Sequence, residues 1–188
     1  MHRLNWKEFE KQARNFFETE LRCQLLEQMP ILLSTGEQHK FDLTSADETI
    51  AIECKSYTWT KSGNYPNAKI AEAQRSVELL RKSVAKRKII AFQDDFLGQT
   101  SLVEVFVRRN RALLAGTQVW RLTNDKFEKF VDYSDVGSIP AAQSARVLQL
   151  VFSDGEKPYF EQQPSLGLSQ GVSSPTGVTE LASETMGI

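Results

Sequence analysis

The chain is predicted to be α/β, a central mixed β-sheet flanked by helices, on three observations. Two short runs, His39–Ser45 and Ile50–Lys55, alternate polar and apolar side chains on either side of a polar turn. Such period-two alternation in β-forming residues marks strands. Residues 68–122 read helix, strand, helix, strand, a rhythm that implies right-handed crossovers and parallel neighbours. Finally, Ile89-Ile90-Ala91-Phe92 is apolar without interruption, as in a strand covered on both faces.

Bulk properties bound the reading. With 188 residues, 40% of them apolar and 25% charged, a single domain with a sizeable core is expected over residues 1–160. The net charge is −1, so no global positive field advertises nucleic acid and any basic footprint is local. Cys23 and Cys54 do not make a disulfide framework, and both are expected to be reduced, buried thiols of a cytoplasmic protein. No apolar signal core opens the chain and no run is long enough to span a membrane.

In chain order, Asn5–Gln28 is the first predicted helix. Asn5 with Glu8 three residues on makes a capping box. Trp6, Phe9, Ala13, Phe16, Phe17, Leu21 and Leu25 recur at helical spacing, and Pro30 forbids continuation. Ile31–Ser34 is a short apolar strand, and Thr35-Gly36 turns the chain into the hairpin. An even loop with Asp47-Glu48 at its tip sets Asp42 directly opposite Glu53, with Lys55 on the same face and Cys54 on the other. The two carboxylates then stand about 5 Å apart at Cβ. Like charges so placed destabilise a sheet, and a divalent cation would offset the cost.

This constellation, Asp followed by Glu-x-Lys on a hairpin, resembles the PD-(D/E)XK phosphodiesterase superfamily of restriction endonucleases and Holliday junction resolvases. The resemblance covers Phe16 to Leu122, and His39-Lys40-Phe41 stands where some members carry a Pro directly before the Asp. It implies a restriction endonuclease-like core in αβββαβαβ order with a small C-terminal extension. It also implies a metal-dependent endonuclease acting on DNA before RNA. Asp42 and Glu53 would hold Mg²⁺, with Mn²⁺ as substitute, together with the Cys54 main-chain carbonyl. Lys55 would orient the attacking water and stabilise developing charge. Members often carry a first-helix Glu pointing at the site. Here Glu18 matches, three and seven residues before Leu21 and Leu25, and Glu20 is its rival nearer the middle of the aromatic side.

The loop Ser56–Asn67 leaves the strand one residue after Lys55 and must overhang this face. Its aromatics, Lys61 and its hydroxyl and amide groups suit stacking on bases and bonding to phosphate, with Trp59 the foremost aromatic. Ala68–Arg87 is the second predicted helix, capped by Asn67, with Ile70, Ala73, Val77, Leu80 and Val84 as its buried stripe. Gln74 matches a helical Gln that orients phosphate or water in some nuclease subfamilies. Arg81 and Arg87 lead the chain's most basic stretch and are candidate phosphate contacts. After strand 89–92 come a loop over Gln93–Gln99, a helix over Ser101–Leu114 and a strand over Thr117–Leu122. Phe127, Phe130 and Val131 suggest another helix, Val147–Phe152 an accessory strand, and Asp154-Gly155 a turn. The final stretch, 161–188, is rich in Gly, Ser, Thr and Pro from Pro164 onward and reads as a disordered tail.

Other site chemistries find little in the sequence. It has no Gly-rich phosphate loop, no Cys/His set at zinc spacing and no Ser elbow. By alternation His39 falls on the face opposite Asp42, a structural or substrate-facing position. The alternative to a nuclease is a non-catalytic nucleic-acid-binding domain on the same fold, and a second copy of the chain is a further candidate partner. A protein-interaction domain with an ordinary acidic surface is the blandest reading.

Overall fold

A computed structural model describes residues 3–135. The accessory strand over 147–152, the turn at 154–155 and the tail over 161–188 lie outside the described residues.

Helix α1 spans Trp6–Leu21 behind the expected capping box, in which Asn5 accepts from the Glu8 N–H and the Glu8 carboxylate from the Asn5 N–H. It ends seven residues before the predicted Gln28. Arg22 takes a left-handed cap (φ 53°), and Leu25–Glu27 becomes strand β1 instead, drawn into the sheet by pairing with residues 43–45. Strand β2 (Pro30–Leu32) pairs with β3 (Gln38–Lys40) in a separate two-stranded sheet. Strand β4 (Leu43–Ser45) then pairs with β5 (Ile50–Lys55), Leu43 against Ile52 and Thr44 against Ala51.

The predicted strand His39–Ser45 is therefore two strands, broken at Phe41–Asp42. In one continuous strand Phe41 and Leu43 would share a face. Instead Phe41 lies in the core on one side of the sheet and Leu43 in the core on the other. Burying both phenyl and isobutyl groups fully requires the break.

Helix α2 runs Asn67–Lys82 with Pro66 at its N-cap and no side-chain cap, so Asn67 is its first residue rather than its cap. Ile70, Ala73, Val77 and Leu80 are buried as expected, but Ser83 is extended and bridges Leu33. Val84 is thus left exposed outside the helix. Strand β6 (Arg87–Gln93) is buried on both faces along its middle and lies parallel to β5. The tiny strands β7 (Phe96–Leu97) and β8 (Thr100–Ser101) form a hairpin that begins in the predicted loop and runs past its end at Gln99. Helix α3 (Leu102–Asn110) starts at Ser101, whose hydroxyl accepts from the Glu104 N–H. Strand β9 (Gln118–Thr123) is parallel to β6. The segment predicted as a further helix is strand β10 (Lys126–Asp132), antiparallel to β9. Asn124 and Asp125 both have positive φ (51° and 60°), the turn geometry that returns a chain on itself as a hairpin.

The main sheet is ordered β1-β4-β5-β6-β9-β10, mixed in direction. α1 covers one face, its Phe9, Ala13 and Phe17 meeting Ile52, Cys54, Ile89 and Trp120. α2 and α3 cover the other, over Ala51, Ile90, Phe92 and Val119. The two-residue alternation of β5 sends Ile52 and Cys54 to α1, and Ala51 and Glu53 to α2. No described helix is long and apolar enough to cross a membrane.

Candidate active site

The four-residue turn Ala46–Thr49 fixes the hairpin register. Asp47 Oδ1 accepts from the Ser45 hydroxyl (2.6 Å), the Thr49 hydroxyl (2.8 Å) and the Thr49 N–H (3.1 Å). These bonds hold the Asp47 carboxyl low, at about 2. Extending the pairing of Leu43 with Ile52 by one step sets Asp42 opposite Glu53, as the even loop predicts. Asp42 Oδ2 also accepts from the Cys54 main-chain N–H at 2.8 Å.

Glu53 is 4% exposed, on the face under α2. Its Oε2 accepts from Ser76 Oγ of α2 at 3.1 Å and from Lys55 Nζ. That ammonium also lies 3.8 Å from Asp42 Oδ2. One cation thus sits between two carboxylates. Burial pushes the Glu53 carboxyl up, Lys55 opposes and Asp42 reinforces, and the outcome is a raised pKa. Lys55 is raised too: burial works against its charge, but Glu53 and Asp42 outweigh it. With all three ionised the group carries one excess negative charge.

These side chains floor an open cavity of about 770 Å³. Its walls come from α2, from the β2–β3 sheet and from the start of the loop after β5, and they include His39, Tyr57, Glu72 and Arg75. The break at Phe41–Asp42 moves His39 from the face its spacing predicts into this cavity. Its Nε2 lies 3.7 Å from Glu53 Oε1, and its ring packs edge-on against Phe41.

Glu18 does not reach the site. Its Oε1 accepts from Arg14 Nε (3.2 Å) and from the Leu25 N–H (3.0 Å), capping the start of β1, and the Leu25 bond is the main reason its carboxyl is held low. Glu20 is exposed at the end of α1. The first-helix acid whose charge is felt at the site is Glu10. Burial pushes it up first, then Asp42, with Glu27 and Glu53 adding and Lys55 opposing, to about 6. Glu10 precedes buried Ala13 and Phe17 by three and seven residues, the same spacing that singled out Glu18, so the signal was present one helical stretch earlier.

The expected nucleic-acid contacts divide. Gln74 Nε2 donates to Asn110 Oδ1 at 2.7 Å, joining α2 to α3 and facing away from the cavity. Arg87 opens β6 beside Ile50, while Lys55 stands beside Phe92. That offset of five residues puts Arg87 about 16 Å along the sheet from the site, where its Nε donates to Gln118. Arg81, in the last turn of α2, is exposed and does not line the cavity. The α2 cation at the cavity is Arg75, one residue before Ser76. Lys61 is exposed on its loop. Trp59 is half-buried, and its N–H and Nε1–H donate to Asp95 Oδ2 (2.8 Å) and the Asp95 carbonyl (3.3 Å).

Both cysteines are free, Cys54 buried against α1 and Cys23 half-buried. The site's donors are in kind those of a hard divalent cation, two carboxylates beside a main-chain carbonyl. Among the described residues no three His, Cys, Asp or Glu side chains are grouped to hold a metal as folded here. The Lys55 ammonium stands between Asp42 and Glu53 and would have to withdraw for the two to share an ion.

The fold and site define a mixed α/β domain with a carboxylate–lysine cluster at the edge where a hairpin meets its parallel strands. No protein-family model, curated protein or solved structure matches the chain.

Proposed function

We propose that this chain is a divalent-cation-dependent nuclease of the PD-(D/E)XK kind, hydrolysing phosphodiester bonds in DNA before RNA. One observation carries the reading. Asp42 and Glu53 face each other across the hairpin, and Lys55 spans both at the floor of an open cavity. Two carboxylates against one ammonium leave a negative excess that Mg²⁺, or Mn²⁺ in its place, would neutralise. Asp42 and Glu53 would hold it, with the Cys54 carbonyl. Once bound, the ion lowers the pKa of water and offsets charge on the phosphate.

The chain's own groups do the rest. Ser76 keeps Glu53 Oε2 in place. Lys55, displaced from the carboxylates, stays within reach of the attacking water and of charge growing on the phosphate oxygens. Water adds to phosphorus, one ester P–O bond breaks, and the leaving oxygen takes up a proton. Arg75, in the cavity wall, is the cation best placed to meet a phosphate, with Lys61 and Trp59 on the loop after β5 as further candidates. Two free thiols suit a reducing, cytoplasmic setting.

A second reading, a nucleic-acid-binding domain without catalysis, draws on Lys55 itself, which already serves both carboxylates as counter-ion. The deciding experiment incubates the protein with supercoiled, linear, single-stranded and branched DNA, with and without Mg²⁺. Mg²⁺-dependent cutting that falls roughly 10²–10³-fold in Lys55→Ala supports the nuclease. Retention of DNA without cutting supports the second reading. Equal cutting by wild type and Lys55→Ala overturns the assigned mechanism.

A further inference from the structure

Strands β1 and β2 pair with β4 and β3 in a single register. Leu25 stands opposite Ser45 and Glu27 opposite Leu43 in the main sheet, and Pro30 stands opposite Lys40 in the small one. Counting inward from both ends sets Gln28 opposite Asp42, and the Gln28 N–H donates to the Asp42 carbonyl at 3.4 Å. Residues 25–32 and 38–45 are therefore two legs of one antiparallel ribbon, bent at its middle. Burial forces the bend. Leu25 and Leu43 fill the core against α1, whereas Ile31 and Phe41 fill the core against α2. The far end of the ribbon is anchored where α2 stops: the Ser34 N–H donates to the Lys82 carbonyl at 2.7 Å, and Leu33 bridges Ser83.

Gln28 turns one leg through this bend, with φ at 53°. Among the described residues four other non-glycines have positive φ. Arg22 caps α1, and Glu48, Asn124 and Asp125 lie in hairpin turns. Gln28 alone of the five sits between two paired strands. Glycine takes this backbone at no steric cost, and Asn or Asp enters it more readily than Gln. What Gln supplies instead is its side chain. It lines the cavity, and its Nε2 donates to Asp42 Oδ1 at 3.3 Å. Asp42 Oδ2 already accepts from the Cys54 N–H and lies 3.8 Å from Lys55 Nζ. The residue in the costly conformation thus holds the carboxylate oxygen that β5 leaves untied.

Backbone strain kept beside a reactive site is a pointer to function. We propose that Gln28 is a positioning residue for Asp42. Its amide fixes the orientation in which Asp42 and Glu53 meet a divalent cation, and its left-handed backbone is retained because it aims the amide there. Hydrogen-bond partners of ion-binding side chains set affinity, and losing one typically weakens binding roughly 10–100-fold. This inference rests on the nuclease reading, which supplies the cation.

The test titrates the full chain with MnCl2 by calorimetry and melts it in metal-free buffer. Gln28→Gly removes both the strain and the amide. Gln28→Met removes the amide but keeps a side chain of similar length and the strained backbone. Without metal, Gln28→Gly should melt above Gln28→Met. Both variants should bind Mn²⁺ roughly 10-fold more weakly than wild type, or weaker still. Wild-type affinity in both overturns the inference while leaving the nuclease reading standing. So does a loss confined to Gln28→Gly, which would trace affinity to a stiff bend and not to the amide. A Gln28→Gly chain that melts no higher than Gln28→Met removes the strain from the argument and overturns the inference as stated. A wild-type chain that binds no Mn²⁺ overturns the inference and the reading beneath it together.

Discussion

Asp42 and Cys54 are joined by a 2.8 Å hydrogen bond from the Cys54 main-chain N–H to the Asp42 carboxylate. The first acid of the site is thus fixed to the strand that carries the second acid and the lysine. Its other oxygen accepts from Gln28 Nε2 at 3.3 Å, so the carboxylate is oriented from both sides before any ligand arrives.

The pair separates two roles of Asp42. Asp42→Asn keeps an oxygen for the Cys54 N–H and removes the charge. Asp42→Ala removes both and leaves a partly buried donor unpaired, which costs about 1–3 kcal/mol. On the proposed function, Mg²⁺ raises the wild-type Tm through binding linkage and raises neither variant's. In metal-free buffer calorimetry should find Asp42→Ala melting clearly below Asp42→Asn. Equal Tm values would show that the hydrogen bond contributes nothing.

Glu10 makes stability depend on pH. Its carboxyl is raised from 4.5 to about 6 in the folded protein, by burial first and then by Asp42. A raised carboxyl pKa means that the folded state binds its proton more tightly than the unfolded state does. The associated stability is complete below pH 4.5, falls as pH rises toward about 6, and is gone above it. Glu10→Gln imitates the protonated acid. Thermal melts should show it more stable than wild type at pH 7–8, with the difference vanishing below pH 4.5. A pH-independent difference would assign the effect to packing.

The parts of the fold legible in the sequence are those where local pattern and tertiary environment agree. The six residues of β5, the even register that opposes Asp42 to Glu53, and the buried stripe of α2 follow from period and turn chemistry alone. The helix ends do not. Arg22 and Ser83 stop α1 and α2 without Gly or Pro, because pairing of β1 with β4 and of Ser83 with Leu33 outweighs helix continuation. Phe127, Phe130 and Val131 satisfy helical spacing, yet the Asn124-Asp125 turn and a bulge between Lys129 and Val131 make them a strand. His39 was hidden for a related reason. Alternation is reliable only within an unbroken strand, and the break at Phe41–Asp42 is imposed by two separate cores.

Gln74 tests a structural assignment against a functional one. Its amide bonds Asn110, which is 8% exposed and donates in turn to the Phe106 carbonyl. Gln74→Ala should destabilise the domain by about 1–3 kcal/mol through the unpaired Asn110 oxygen. Affinity for DNA, measured well below the variant's Tm, should not change. A normal Tm with weakened binding would return Gln74 to the phosphate.

The basic residues offer the clearest contrast between spacing and placement. Arg75 lines the cavity, whereas Arg87 lies at the far end of the parallel strands, bonded to Gln118. A phosphate contact releases a counterion, so each one lost lowers the slope of log K against log[salt] by about 0.9 on duplex DNA. Arg75→Gln should therefore flatten the salt dependence of DNA binding by roughly that amount. Arg87→Gln should leave the slope unchanged, although it removes the same charge from the same net total. Global electrostatics would move both slopes alike, so a common shift would count against a phosphate path across the cavity. A shift in Arg87→Gln alone would place the nucleic acid at the opposite end of the sheet, away from Asp42, Glu53 and Lys55.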